Sequence, residues 1–123
     1  VPHTPVRVSP TEAEFCKYFS NVYNALRVTF ANNMYEICHA MGVDYNQVYL
    51  AISARPTIQP DYLKCYEANR GYGGHCLPKD VEAFRNLIQN LQLDKLKLFD
   101  AIAQDNQLHL TKNIDNQPPT AYN

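Results

Sequence analysis

The sequence predicts an all-α fold, with one long helix at its centre and shorter helices packed around it. Three observations carry that prediction. Apolar residues recur at 15, 19, 22, 26, 30, 34 and 37, which is a helical stripe. No stretch alternates apolar and polar residues as a half-buried strand would, and no internal repeat is visible. Proline and glycine fall where such helices should begin or end, at Gly42, Pro56 and Pro78.

Residues 1–10 hold three prolines and read as an extended linker rather than a helix interior. Ser9 or Thr11 can cap the long helix, and Thr11 with Glu14 has the spacing of a capping box. The stripe then runs to Met41, with Gly42 as its stop. A helix of about 30 residues is roughly 45 Å long. That is more than the rest of a small domain can cover, so one side should be shared with more of a longer chain or with a second subunit. Lys17, Asn21 and Asn24 form a polar seam beside the stripe, at i, i+4 and i+7.

Asp44 is a good N-cap for a second helix with Val48, Ala51 and Ile52 on its apolar face, ending before Pro56. Residues 55–69 read as irregular. Val81, Phe84, Leu87, Ile88 and Leu91 predict a third helix over about 79–92, and Leu96, Leu98, Phe99, Ile102, Leu108 and Leu110 a fourth over about 95–112. The domain is therefore expected over 11–112, with 113–123 a flexible tail.

Between the second and third helices lies Arg70-Gly71-Tyr72-Gly73-Gly74-His75-Cys76-Leu77-Pro78-Lys79-Asp80, with three of the four glycines in the chain. Glycine allows positive φ and close approach to the main chain. Pro78 suits the first turn of a helix. Cys76 would then lie just before a helix N-terminus, where the dipole and Lys79 favour a thiolate and make the sulfur a better nucleophile. Asp80 could cap that helix or orient a water. A plain connection with a small buried cysteine is the alternative for such a loop.

The run from Gly71 to Asp80 resembles the catalytic-cysteine signature of the UDP-glucose/GDP-mannose dehydrogenase family. Thr11–Asn21 is similar to that family's Glu-Ala-Glu…Lys…Asn helix, Val28–Asn32 matches its continuation, and Tyr62-Leu63 matches an aromatic-Leu pair that leads into the glycine loop. The resemblance covers roughly residues 9–110. It departs at Asn33, where an acid is expected, and at Asn24, where an apolar residue is.

The resemblance implies a fold like the 6-phosphogluconate dehydrogenase C-terminal-like helical domain, and part of an enzyme that oxidises UDP-glucose to UDP-glucuronate with two NAD through a thioester. It implies Cys76 as nucleophile, Lys17 and Asn21 as donors to the oxygen at C6, and Asp80 as the group that orients the hydrolytic water. Lys17, Asn21, Tyr62, Leu63, Tyr72, Gly73 and Gly74 would contact the sugar nucleotide, with Arg55 reaching toward a neighbouring subunit's ligand and Lys79 on the cofactor side. Asn106 resembles a family asparagine, with a surface amide the equal alternative; His75 could tune the thiol or be a plain loop residue. A homodimer through the long helix is implied. No strand with Gly-x-Gly-x-x-Gly occurs, so the NAD site is expected mostly in a domain outside this chain, and the chain alone should not turn over. UDP-N-acetylhexosamine and GDP-mannose remain open as substrates, as do a non-catalytic dimerisation module and a cysteine hydrolase.

Composition narrows the partners. With 46% apolar and 19% charged residues, 123 residues make one ordinary globular domain. A net charge of −1 without a basic run gives no footprint for nucleic acid or an anionic membrane. Apolar runs are only a few residues long, so no membrane span is expected and a cytoplasmic location is. Cysteines 16, 38, 65 and 76 have neither disulfide-framework nor zinc spacing, and no metal is expected, including at Cys38, His39, Cys65, His75 and Cys76.

Overall fold

The structure, a computed structural model, describes residues 5–113 and Pro119. Four helices follow in order: α1 (Pro10–Ala40), α2 (Tyr45–Ser53), α3 (Cys76–Asn90) and α4 (Leu98–Leu110). Among the described residues there is no strand, only an isolated bridge between Tyr66 and Asn69. Of the expected linker and tail, residues 1–4, 114–118 and 120–123 lie outside the described residues.

The 31 residues of α1 start earlier than the Thr11–Glu14 pairing predicts. Ser9 is the cap: its Oγ accepts from the Glu12 N–H at 3.1 Å, and the Glu12 carboxylate accepts from the Ser9 N–H at 2.9 Å. Pro10, which has no N–H to lose, then opens the helix. Those bonds hold Glu12 below the usual carboxylate range. The far end closes as expected. Gly42, at φ +71°, donates to His39 O and Val43 donates to Cys38 O, the paired bonds of a Schellman motif.

The single stripe expected on α1 divides in two. Val22, Ala25 and Val28 face inward and build the main core with Tyr72, Leu77, Val81 and Ile102. Phe15, Phe19, Tyr23, Phe30, Met34, Ile37 and Met41 run along an outer face, with Phe19 63% and Met41 71% exposed. Further along, Ala31 and Cys38 join Tyr45 and Cys65 in a second, smaller cluster that seats α2 and the long loop.

The α1–α3 pairing fixes the course of the chain. Phe15 meets Phe84 at a ring separation of 6.0 Å, while Asn21 meets Asp80, so the two helices run antiparallel. Against them α4 packs through Phe99, 5.0 Å edge-on from Phe84, and through Arg85–Asp100 at 2.8 Å. At the α3 C-terminus Gln92 takes the left-handed position, φ +59°, with Gln92 donating to Gln89 O and Leu93 to Ile88 O. The start of α4 is later than the apolar spacing predicts. Leu96 N–H donates to Leu93 O and the Lys97 ammonium to Asp94 O, closing a turn where the spacing predicts helix.

Candidate active site

The glycine loop is built from the helices inward. Gly71 has φ +75°, and an added Cβ there would lie 2.8 Å from Asn106 Oδ1 and 3.1 Å from Leu110, so only glycine fits. Asn106 is buried rather than a surface amide. Its Oδ1 accepts from Tyr72 N–H at 2.7 Å and its Nδ2 donates to Tyr72 O at 3.0 Å. Asn113, assigned to the tail by the sequence, is also buried and clamps Arg70 in the same way, at 2.7 and 2.9 Å. From α1, Asn32 Oδ1 takes Gly71 N–H at 3.1 Å and Arg70 Nε at 2.6 Å.

Past Tyr72 the loop turns outward. Gly74 has φ +78°, and His75 leads into α3 with no side-chain cap. Cys76 is the first residue of α3, two positions earlier than Pro78 predicts, and it is exposed and free. Pro78 falls inside the first turn, where its missing N–H has no helical partner to lose.

The structure brings Asn21 and Asp80 together. Asn21 Nδ2 donates to Asp80 Oδ2 at 2.5 Å, with Asp80 buried and Asn21 half-buried. Asp80 is therefore a partner of α1 and not the cap of its own helix. Lys17 lies one turn before Asn21 on the same face of α1, and Cys76 one turn before Asp80 on α3. Because the helices are antiparallel, Lys17 and Cys76 lie on opposite sides of the Asn21–Asp80 contact, each roughly 5–6 Å from it along its helix. Asn21 is thus the donor nearer to the sulfur. The third member of the seam, Asn24, is taken by Arg27 Nη2.

The remaining predicted residues disperse. Tyr72 is buried in the main core, and burial pushes its hydroxyl up to about 12, so its ring is a core element and not an open sugar contact. Tyr62 is half-buried at φ +67°, with the Arg27 guanidinium 5.0 Å from its ring, and Leu63 packs on the second cluster. Arg55 is exposed beyond the end of α2, and Lys79 is exposed on α3. Gly73 is half-buried and Gly74 exposed. Of the other thiols, Cys65 is buried and pushed up to about 11 by that burial. Among the described residues no three His, Cys, Asp or Glu side chains are grouped to hold a metal, and no helix is long and apolar enough to cross a membrane.

Sequence reasoning missed the anchors of the loop. Arg70 is buried with its guanidinium on Asn32, on Glu36 at 2.8 Å and 4.4 Å over the Tyr35 ring. Its partners are 34 to 39 residues away, so no local pattern marks them.

Residues 11–108 match the UDP-glucose/GDP-mannose dehydrogenase family, central domain. The UDP-glucose 6-dehydrogenase of Rickettsia bellii is 33% identical over 103 residues, 84% of this chain and 23% of that protein. UDP-glucose 6-dehydrogenase TuaD of Bacillus subtilis is 29% identical over 114 residues, 92% of this chain and 24% of that protein. The UDP-glucose 6-dehydrogenase of Rickettsia typhi is 30% identical over 96 residues, 78% and 21% respectively. The chain spans between a fifth and a quarter of the length of these relatives.

Proposed function

The chain belongs to the UDP-glucose/GDP-mannose dehydrogenase family, and on that premise we propose that it is the catalytic-cysteine and dimerisation domain of an enzyme oxidising UDP-glucose to UDP-glucuronate. The observation that carries this reading is the Asn21–Asp80 contact. It joins the last residue of the cysteine signature to the seam of α1, two segments far apart in the chain that the family resemblance assigns to one site.

Two hydrides must leave C6 of the sugar, and accepting them is the chemistry NAD supplies. The described residues form no strand–glycine-loop–helix unit, so they do not fit a dinucleotide by themselves. The roles of this chain lie around the carbonyl. The Cys76 thiolate adds to the C6 aldehyde, forming a C–S bond and leaving the negative charge on oxygen. Asn21, the donor nearer the sulfur, stabilises that charge, a preorganised donor being worth about 3–4 kcal/mol in such sites, and Lys17 adds its positive charge from one turn further along α1. Once oxidised, the adduct is a thioester. Water then breaks the C–S bond, releasing the acid and returning the sulfur as the leaving group. Asp80 orients that water, and its bond to Asn21 couples hydrolysis to the same donor. UDP-glucose is favoured over GDP-mannose because the Pro-Lys-Asp step after the cysteine resembles the UDP-glucose branch of the family, and because the relatives are named UDP-glucose 6-dehydrogenases.

Dimerisation is supported by the outer apolar face of α1, which extends over the length of the helix and is left exposed at Phe19, Phe30, Ile37 and Met41. Phe30→Glu is expected to convert a dimer to a monomer in light scattering; a wild-type monomer at high concentration removes this half of the proposal. For catalysis, Cys76→Ser in the whole enzyme should lower UDP-glucose-dependent NADH formation on the order of a thousandfold or more while leaving UDP-glucose binding nearly intact. A rate close to wild type would assign the nucleophile elsewhere.

A further inference from the structure

Arg70 is the least expected charge in the molecule: its side chain is 3% exposed, between α1 and α4. Its Nε and Nη2 donate to the side chain and carbonyl of Asn32, and its Nη1 to Glu36. The same Asn32 Oδ1 receives the N–H of Gly71. Asn32 Nδ2 also donates to Val28 O at 2.8 Å, so removing the guanidinium takes away one of the bonds that hold this acceptor fixed and loosens the anchor it gives Gly71.

The other side of Arg70 carries His109, also buried, with Nδ1 at 3.4 Å from Nη2 and Nε2 at 2.5 Å from Asn33 Oδ1. Arginine can only donate, so Nδ1 must accept. The proton is then on Nε2 and is given to Asn33, whose Nδ2 donates to Asp105 at 3.0 Å. Every bond in the chain Asp105–Asn33–His109–Arg70–Glu36 is satisfied with a neutral imidazole. A second proton on His109 would point an N–H at the guanidinium and bury two positive charges side by side.

We infer that Arg70 is a positioning residue that holds the first half of the glycine loop, and so the entry to Cys76, and that it holds it only while His109 is neutral. The catalytic meaning of this rests on Cys76 being the nucleophile. The groups facing His109 are Arg70 from the loop, Asn33 and Glu36 from α1, Asp105 from α4 and Lys112 beyond it. Burial and Arg70 push His109 down from its ordinary value, while Asp105 and Glu36 act in the opposite sense.

The test is amide hydrogen exchange on the 123-residue chain, corrected for intrinsic rates, with Val28 and Ile102 as core references. In wild type, lowering the pH from about 7 to about 5 should reduce protection at Gly71 and Tyr72 roughly tenfold, alongside the global loss that the references read. His109→Gln should flatten that profile. Arg70→Met should show the loss already at neutral pH, and Arg70→Lys, which keeps the charge but not the planar fork, should not restore it. If Arg70→Met does not fold, the wild-type and His109→Gln profiles decide alone. An acid loss at Gly71 that persists unchanged in His109→Gln, an Arg70→Met loss no greater at Gly71 than at Val28 and Ile102, or protection at Gly71 that ignores both pH and Arg70, overturns the inference. Alkylation of Cys76 against exposed Cys16 in the same samples separates the two claims: if the loop responds as expected but Cys76 never reacts faster than Cys16, Arg70 still holds the loop and the nucleophile assignment is what fails.

Discussion

Residues 70–72 and 73–76 are adjacent stretches of one loop. The first is buried with its backbone bonded to Asn32, Asn106 and Asn113; the second is exposed from Gly74 onward and enters α3 with no side-chain cap. The anchored half brings the chain to a fixed point between α1 and α4. From there only Gly73, Gly74 and His75 intervene before Cys76, so the sulfur is placed by its neighbours while it stays exposed. Amide side chains suit this task because each offers donors and an acceptor, matching the N–H and C=O of a single residue with no net charge to desolvate.

The contrast can be broken at either half. Gly71→Ala combines a left-handed backbone with a contact at 2.8 Å and should cost about 3–4 kcal/mol in urea denaturation. Asn106→Ala leaves the buried N–H and C=O of Tyr72 without partners, a loss of about 2–3 kcal/mol. On the exposed side, Gly74→Ala meets the φ penalty and should cost about 1 kcal/mol. Losses of equal size at 71 and 74 would contradict the asymmetry. Away from the loop, Gln92→Gly relieves the left-handed position at the end of α3 and should stabilise by about 1 kcal/mol.

Acid sharpens the same comparison. Because the folded state holds His109 below its unfolded value near 6.5, the unfolded chain binds more protons in that window, and stability must fall as pH drops below about 6.5. Glu36, held down by its hydrogen bond to Arg70, adds a further loss as pH falls through the carboxylate range. His109→Gln should remove the first phase from a pH series of urea midpoints and leave the second.

Much of the fold is legible in the sequence, because its signals are local. Gly42 as a helix stop, Asp44 as a cap and the order of four helices each rest on residues within a turn of one another. Ser9 displaces Thr11 as the cap because Pro10 favours the first helical position, a preference the capping-box spacing does not contain. The two faces of α1 merge into one stripe because apolar residues at 19, 22 and 23 span both. Arg70, His109, Asn106 and Asn113 carry no local mark of their roles in the loop. Each is an ordinary polar residue until the fold brings together positions more than thirty apart.

The central claim is that the loop presents Cys76 as a nucleophile at a sugar-nucleotide site. The most direct measurement is the alkylation rate of all four cysteines at neutral pH by peptide mass spectrometry, with and without UDP-glucose. Cys76 should react fastest, UDP-glucose should slow it and leave exposed Cys16 unchanged, and buried Cys65 should scarcely react. A Cys76 that reacts no faster than Cys16, and that UDP-glucose does not protect even when the remaining domains of the enzyme are present, would contradict the account.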